Sequence, residues 1–160
     1  MSMFCLFCQE PLINVKENFT DLDLVLTFLK NKFGEEILHN KANVLLFLEK
    51  FFPSGKREYN FVSHLFASGY IDTLFRLKNS PLTIQKSAIK QIVNQFATQY
   101  GISNEWAEYI VGCVCNFIGL SNNVSHSIIK MKKAAENGDS DAQFELAKRY
   151  CYGKGVQRNI

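Results

Sequence analysis

The stretch PLTIQKSAIKQIVNQFATQYGISNEWAEYIVGCVCNFIGL, residues 81–120, decides the fold. Its Leu82, Ile84, Ala88, Ile89, Ile92, Val93, Phe96, Ala97 and Tyr100 recur at helical spacing against a polar face of Lys86, Lys90, Gln91, Asn94, Gln95 and Gln99. Pro81 suits a first helical turn and Gly101 a stop, so a helix is predicted over 82–100. Ser103 can cap a second helix over 104–120, and that segment is apolar nearly all round, which puts it in the core.

Working outward, helix punctuation repeats in both directions. Thr20 can cap a helix ending at Phe33, with Gly34 as a left-handed stop, and Glu35–His39 is a short turn. Asn40 caps a helix over 41–52 whose Val44, Leu45, Leu46, Phe47, Leu48, Phe51 and Phe52 surround it with apolar surface, so this helix too is expected to be central. Two shorter helices, Lys56–Ser68 and Tyr70–Lys78, are separated by Gly69. After Ser121-Asn122-Asn123, a plausible joint, helices over 124–137 and 140–152 are stopped by Gly138 and Gly153 and form one αα-hairpin. No sustained two-residue alternation lies between hairpin turns, so no sheet is predicted. The expected fold is all-α: a short irregular N-terminal arm over 1–20, a multi-helix bundle over 21–123 and a hairpin over 124–160.

With 47% apolar and 21% charged residues, the 160-residue chain has the make-up of a globular domain, not of a disordered chain or a membrane bundle. No basic n-region and apolar h-region open the sequence, so secretion by that route is not expected. The most apolar run, 106–120, is broken by Glu108, Gly112 and Asn116, so no membrane span is expected. Five cysteines without an export signal are expected to be free thiols of a cytoplasmic protein.

The net charge of +3 is too small for a generic nucleic-acid binder, but it is unevenly spread. Residues 1–123 hold eleven Lys/Arg and eleven Asp/Glu, whereas residues 124–160 hold seven against four. The basic cluster of Lys130, Lys132, Lys133, Lys148, Arg149, Lys154 and Arg158 therefore carries the whole excess. Such charges often form no more than a solvated face, and Glu145 can pair with Arg149 four residues on. The alternative is a partner-binding patch, for which Lys130, Lys133, Lys148, Arg149, Lys154 and Arg158 are the candidates.

Lys133-Ala134-Ala135-Glu136-Asn137-Gly138-Asp139, followed by Ala142-Gln143-Phe144, Leu146-Ala147, Tyr150 and Gly153-Lys154-Gly155-Val156, resembles the SEL-one-like repeat, a cousin of the tetratricopeptide repeat. The resemblance covers about residues 129–156. It implies a helical hairpin with small residues at the close approach of its helices, and a role in protein binding. One such unit cannot bury both of its faces. It implies either docking on the preceding helices, the favoured reading, or completion by a partner. Phe33-Gly34 with Ile37-Leu38, Leu48, Phe52-Pro53, Gly69, Leu74, Tyr100-Gly101, Trp106-Ala107 and Val111 is also similar to an uncharacterised all-helical module of bacterial proteins, which implies an accessory role and no catalytic residue.

Cys5 and Cys8 have zinc-knuckle spacing, and Cys8-Gln9-Glu10-Pro11-Leu12 resembles half a zinc ribbon with Gln9 where glycine is usual. Tetrahedral zinc needs four ligands, and no second C-x-x-C or His pair supplies them. Cys113 and Cys115, about 200° apart on one helix, cannot easily share an ion. Structural thiols are the expected reading, with zinc at Cys5 and Cys8 the alternative and no other cofactor implied. Residues 95–111 imitate a helix-turn-helix, but Glu105 and Glu108 occupy its reading helix and no Lys or Arg lies between Lys90 and Lys130, which argues against direct nucleic-acid binding. His39, His64 and His126 are scattered, no nucleophile elbow exists, and Gly153-Lys154-Gly155 is too short for a phosphate cradle.

The sequence therefore points away from an enzyme. It points to a bacterial, cytoplasmic, non-catalytic module that binds a protein partner through helix faces. A small inhibitor that occludes a larger, nucleic-acid-processing protein is the first alternative, and a zinc- or thiol-dependent enzyme the second.

Overall fold

The computed structural model of the chain describes residue 19, residues 21–120 and residues 128–152. Among them lie eight α-helices and no strand, so the all-α expectation holds. The helices are α1 Leu22–Phe33, α2 Lys41–Phe51, α3 Lys56–Ser68, α4 Tyr70–Arg76, α5 Leu82–Tyr100, α6 Asn104–Ile118, α7 Ile128–Glu136 and α8 Ser140–Tyr152. Short 3-10 turns occupy Glu35–His39 and Leu77–Asn79, the latter taking up residues expected in the end of α4. Most of the expected N-terminal arm, with Cys5 and Cys8, the joint expected at Ser121-Asn122-Asn123, the first residues of the helix expected over 124–137, and Lys154 and Arg158 lie outside the described residues.

Caps explain most of the helix ends. The Asp21 carboxylate, not Thr20, starts α1 by accepting from Asp23 N at 2.8 Å. Asn40 starts α2 by accepting from Asn43 N at 3.1 Å, and the Ser103 hydroxyl starts α6 by accepting from Trp106 N at 3.3 Å. At the far end of α1, Gly34 has φ +78° and ψ −178°. This is not the left-handed helical stop expected from the sequence but an extended conformation with positive φ, a region essentially reserved for glycine. It turns the chain sharply into the Glu35–His39 turn.

The core is organised around α6, which is packed by α1, α3, α4, α5 and α7. Ala107, Tyr109–Cys115, Phe117 and Ile118 are all buried, as an all-round apolar helix requires. The equally apolar α2 is peripheral, contrary to expectation: it packs on α3 and the Glu35–His39 turn and buries only Val44, Phe47 and Leu48, with Leu46 41% exposed. Aromatic side chains fill the space between these layers. Phe19, Phe28, Phe47 and Phe51 form one run with successive centroids 5.5, 5.7 and 4.3 Å apart, and Phe61, Trp106 and Tyr109 form another.

The +3 excess of the C-terminal segment has a structural explanation. α7 lies against α6 and directs three lysines at three carboxylates of the body: Lys130 at Asp23 of α1 (2.9 Å), Lys132 at Glu105 of α6 (3.7 Å) and Lys133 at Glu58 of α3. α8 packs on α7 and buries none of its described side chains.

Candidate functional site

Two features of the described residues have the makings of a site: a polar and ionic network beneath α7, and the outer face of α8.

The network begins at Tyr109, fully buried at the centre of α6. Its hydroxyl accepts from Leu22 N and donates to Asp21 Oδ1, both at 3.0 Å. Burial pushes the phenol far above its ordinary pKa, with the charge of Asp21 acting the same way, so the hydroxyl remains a donor. Next to it, Asp23 accepts from Asn116 Nδ2 at 2.8 Å and from Lys130 Nζ at 2.9 Å. Burial works against the Lys130 ammonium, but the hydrogen bond and charge of Asp23, with Asp21 behind it, raise its pKa on balance. Lys133 donates to Glu58, and its Nζ stands 5.1 Å from the Phe52 ring centroid and 5.6 Å from that of Tyr109. No buried side-chain nitrogen or oxygen among the described residues lacks a partner. A satisfied network of this kind holds helices together.

The buried thiols and the described imidazoles are constrained by their surroundings. Cys113 and Cys115 are free and buried in α6. Burial raises the Cys113 thiol well above its ordinary pKa, helped by the charges of Asp21 and Asp23, and pushes Cys115 up to about 12, so both are protonated at neutral pH and poor nucleophiles. His39 stacks on Phe75 at 4.5 Å and His64 on Tyr100 at 4.3 Å, while His126 lies outside the described residues. No group of three or more His, Cys, Asp or Glu among the described residues could hold a metal ion. An open groove of about 490 Å³ between α4 and α5 is lined by Tyr70, Asn94, Gln95, Thr98 and Gln99, which offer hydrogen bonds but no carboxylate, imidazole or thiol. No helix among the described residues is long and apolar enough to cross a membrane. The helix that would read DNA in a helix-turn-helix is α6, the most buried helix of the body.

These thiols give a direct test. At pH 8, an alkylating reagent should modify the exposed Cys151 while Cys113 and Cys115 stay protected until denaturant is added, as mapped by peptide mass spectrometry. Modification of Cys113 at the rate of Cys151 would contradict their burial.

Of the residues expected to form a basic partner-binding patch, Lys130 and Lys133 face inward onto the body, and Lys132 bridges to Glu105. Lys148 and Arg149 lie on α8, where Glu145 pairs with Lys148 at 2.9 Å and with Arg149 at 4.0 Å. The expected cluster is thus divided between an internal set and a surface set. The acceptors Asp23, Glu58 and Glu105 were not among the candidate residues. The one sequence signal for them is the three-residue spacing of Lys130 and Lys133, which puts two cations on one side of α7.

The second feature is the side of α8 turned away from α7. Phe144 is 67% exposed, and the exposed Ala147 and Cys151 follow it at the three- and seven-residue spacings of one helical stripe. Lys148 flanks the stripe, with its Nζ 5.1 Å from the Phe144 ring centroid. Comparison with protein families, with functionally described proteins and with solved structures finds no match to this chain.

Proposed function

We propose that the protein is a non-catalytic interaction module that binds a protein partner through the outer face of α8. The observation that carries this reading is the exposure of Phe144 in a helix with no buried described side chain. A large aromatic ring kept in water gains nothing for the fold, whereas in a partner's pocket it supplies the kind of anchor that dominates protein interfaces. Ala147 and Cys151 are small enough for the partner's backbone to come close beside that anchor, and Lys148 can exchange Glu145 for a carboxylate at the pocket rim. The likeness of residues 129–156 to a SEL-one-like repeat supports the same reading, as does the internal pairing of the α7 lysines, which leaves an apolar anchor, not bulk positive charge, as the recognition element.

The test is capture from an extract of the source cells with the wild-type chain and with Phe144→Asp. Because Phe144 makes no core contact, the substitution should leave the melting temperature within about 1 °C. Bound partner, quantified by mass spectrometry, should fall at least about tenfold, as expected for loss of an anchor residue. Equal capture by both chains would exclude this face.

A further inference from the structure

Glu58 is an anomaly for a body built of apolar helices: a carboxylate in the first turn of α3 with 2% of its surface exposed. A buried carboxylate is costly without a counter-ion. Among the described residues its ion-pair partner is Lys133, which is 75 residues away and belongs to α7.

The surroundings are shaped for that cation. The Phe52 and Tyr109 rings stand at 5.1 and 5.6 Å from Lys133 Nζ, within the range at which an aromatic face attracts an ammonium. The Tyr109 wall is fixed independently of α7, and glycine makes room for the Phe52 wall. The Tyr109 ring is held by its hydroxyl, between Leu22 N and Asp21 Oδ1. The Phe52 ring lies over Gly55 so closely that a Cβ there would fall 2.4 Å from ring carbons, so only glycine lets the ring fold back into this position. Burial lowers the pKa of the Lys133 ammonium, while the charges of Asp21 and Glu136 act in the opposite direction.

We propose that Glu58, Phe52 and Tyr109 form a receptor for a primary alkylammonium group, and that Lys133 is its tethered occupant. The carboxylate accepts a hydrogen bond from the ammonium and the two rings cover its flanks. α7 is therefore held to the body by a contact that a lysine side chain or a free amine can reproduce in trans once Lys133 is gone. The site is separate from the outer face of α8 and does not depend on the role assigned to Phe144.

The experiment uses the full chain with Lys133→Ala, which empties the cage, and n-butylammonium as the probe, a copy of the lysine stem and head. Its melting temperature should rise saturably, by about 3–6 °C once the amine exceeds its dissociation constant about tenfold. n-Butanol and equal concentrations of sodium chloride should not reproduce the rise. The wild-type chain should not respond, because tethering gives Lys133 a high effective concentration in the cage. Adding Glu58→Gln to Lys133→Ala should abolish the response. Nα-acetyl-lysine amide and putrescine, run in parallel, separate a polypeptide lysine from a free amine as the tighter guest. If Lys133→Ala does not fold alone, recovery of its helical circular dichroism with n-butylammonium but not n-butanol supports the receptor. Absence of any amine-specific response, or an equal response in the Glu58→Gln background, overturns it.

Discussion

Replacing Tyr109 with alanine should cost about 3–5 kcal/mol of stability, the range for deleting a large buried aromatic side chain. At about 2–4 °C per kcal/mol for a chain of this size, the melting temperature should fall by about 10 °C. The loss has two parts. The ring lies in the middle of α6 with no exposed surface, so its removal opens a cavity at the helix on which five others pack. The hydroxyl accepts from the first amide of α1 and donates to the residue that caps that helix, so its removal also strands Leu22 N–H. Tyr109→Phe isolates the second part and should cost about 1–3 kcal/mol, the penalty for an unsatisfied buried donor. Guanidinium unfolding followed by circular dichroism measures both, and a Tyr109→Phe variant as stable as wild type would mean that another group satisfies the amide.

The pairing of Lys133 with Glu58 predicts an unequal pair of single variants. Lys133→Met leaves a carboxylate with 3% side-chain exposure unpaired, and should cost about 3 kcal/mol. Glu58→Gln leaves an ammonium whose side chain is 20% exposed and whose stem is long enough to reach water, so the cost should be nearer about 1 kcal/mol. The double variant should be more stable than the sum of the two losses implies, because removing both charges also removes the desolvation that each imposed. Hydrogen exchange locates the effect: in Lys133→Met the amides of α7 should lose protection while those of α5 and α6 keep theirs, since lifting α7 is the easiest way to hydrate Glu58. Equal losses from the two single variants, with strict additivity, would show that the pair is only a surface contact.

The elements most legible in the sequence are those whose ends carry their own chemistry. α5 spans Leu82–Tyr100 and α8 spans Ser140–Tyr152, as the sequence predicts, and the C-cap of α5 is Gly101 in the left-handed region. Composition is a weaker guide to position. α2 and α6 are both apolar nearly all round, yet α6 has neighbours on every side and α2 leaves Leu46 in water. How many neighbours a helix has depends on the whole chain path, and no local pattern encodes it. Charge is weaker still as a guide to surface. The lysines of α7 read as an exposed patch because Asp23 and Glu58, which receive Lys130 and Lys133, lie 107 and 75 residues upstream. Only the fold brings them together. Phe144 was visible in the sequence as part of a repeat-like motif, but its exposure depends on which side of α8 meets α7.

The contacts that join α1 to α6 have a bearing on the order of assembly. Leu22 meets Tyr109 across 87 residues, Lys30 Nζ donates to the Phe117 carbonyl across 87, and Asp23 meets Asn116 across 93. A stacked array of helical hairpins grows by adding neighbours, because each unit needs only the unit beside it. Covering the α1 side of the central helix closes a loop of about 90 residues, so these contacts carry an entropic cost that packing between sequence neighbours does not. An α1 without α6 would have an apolar face and nothing to bury it on.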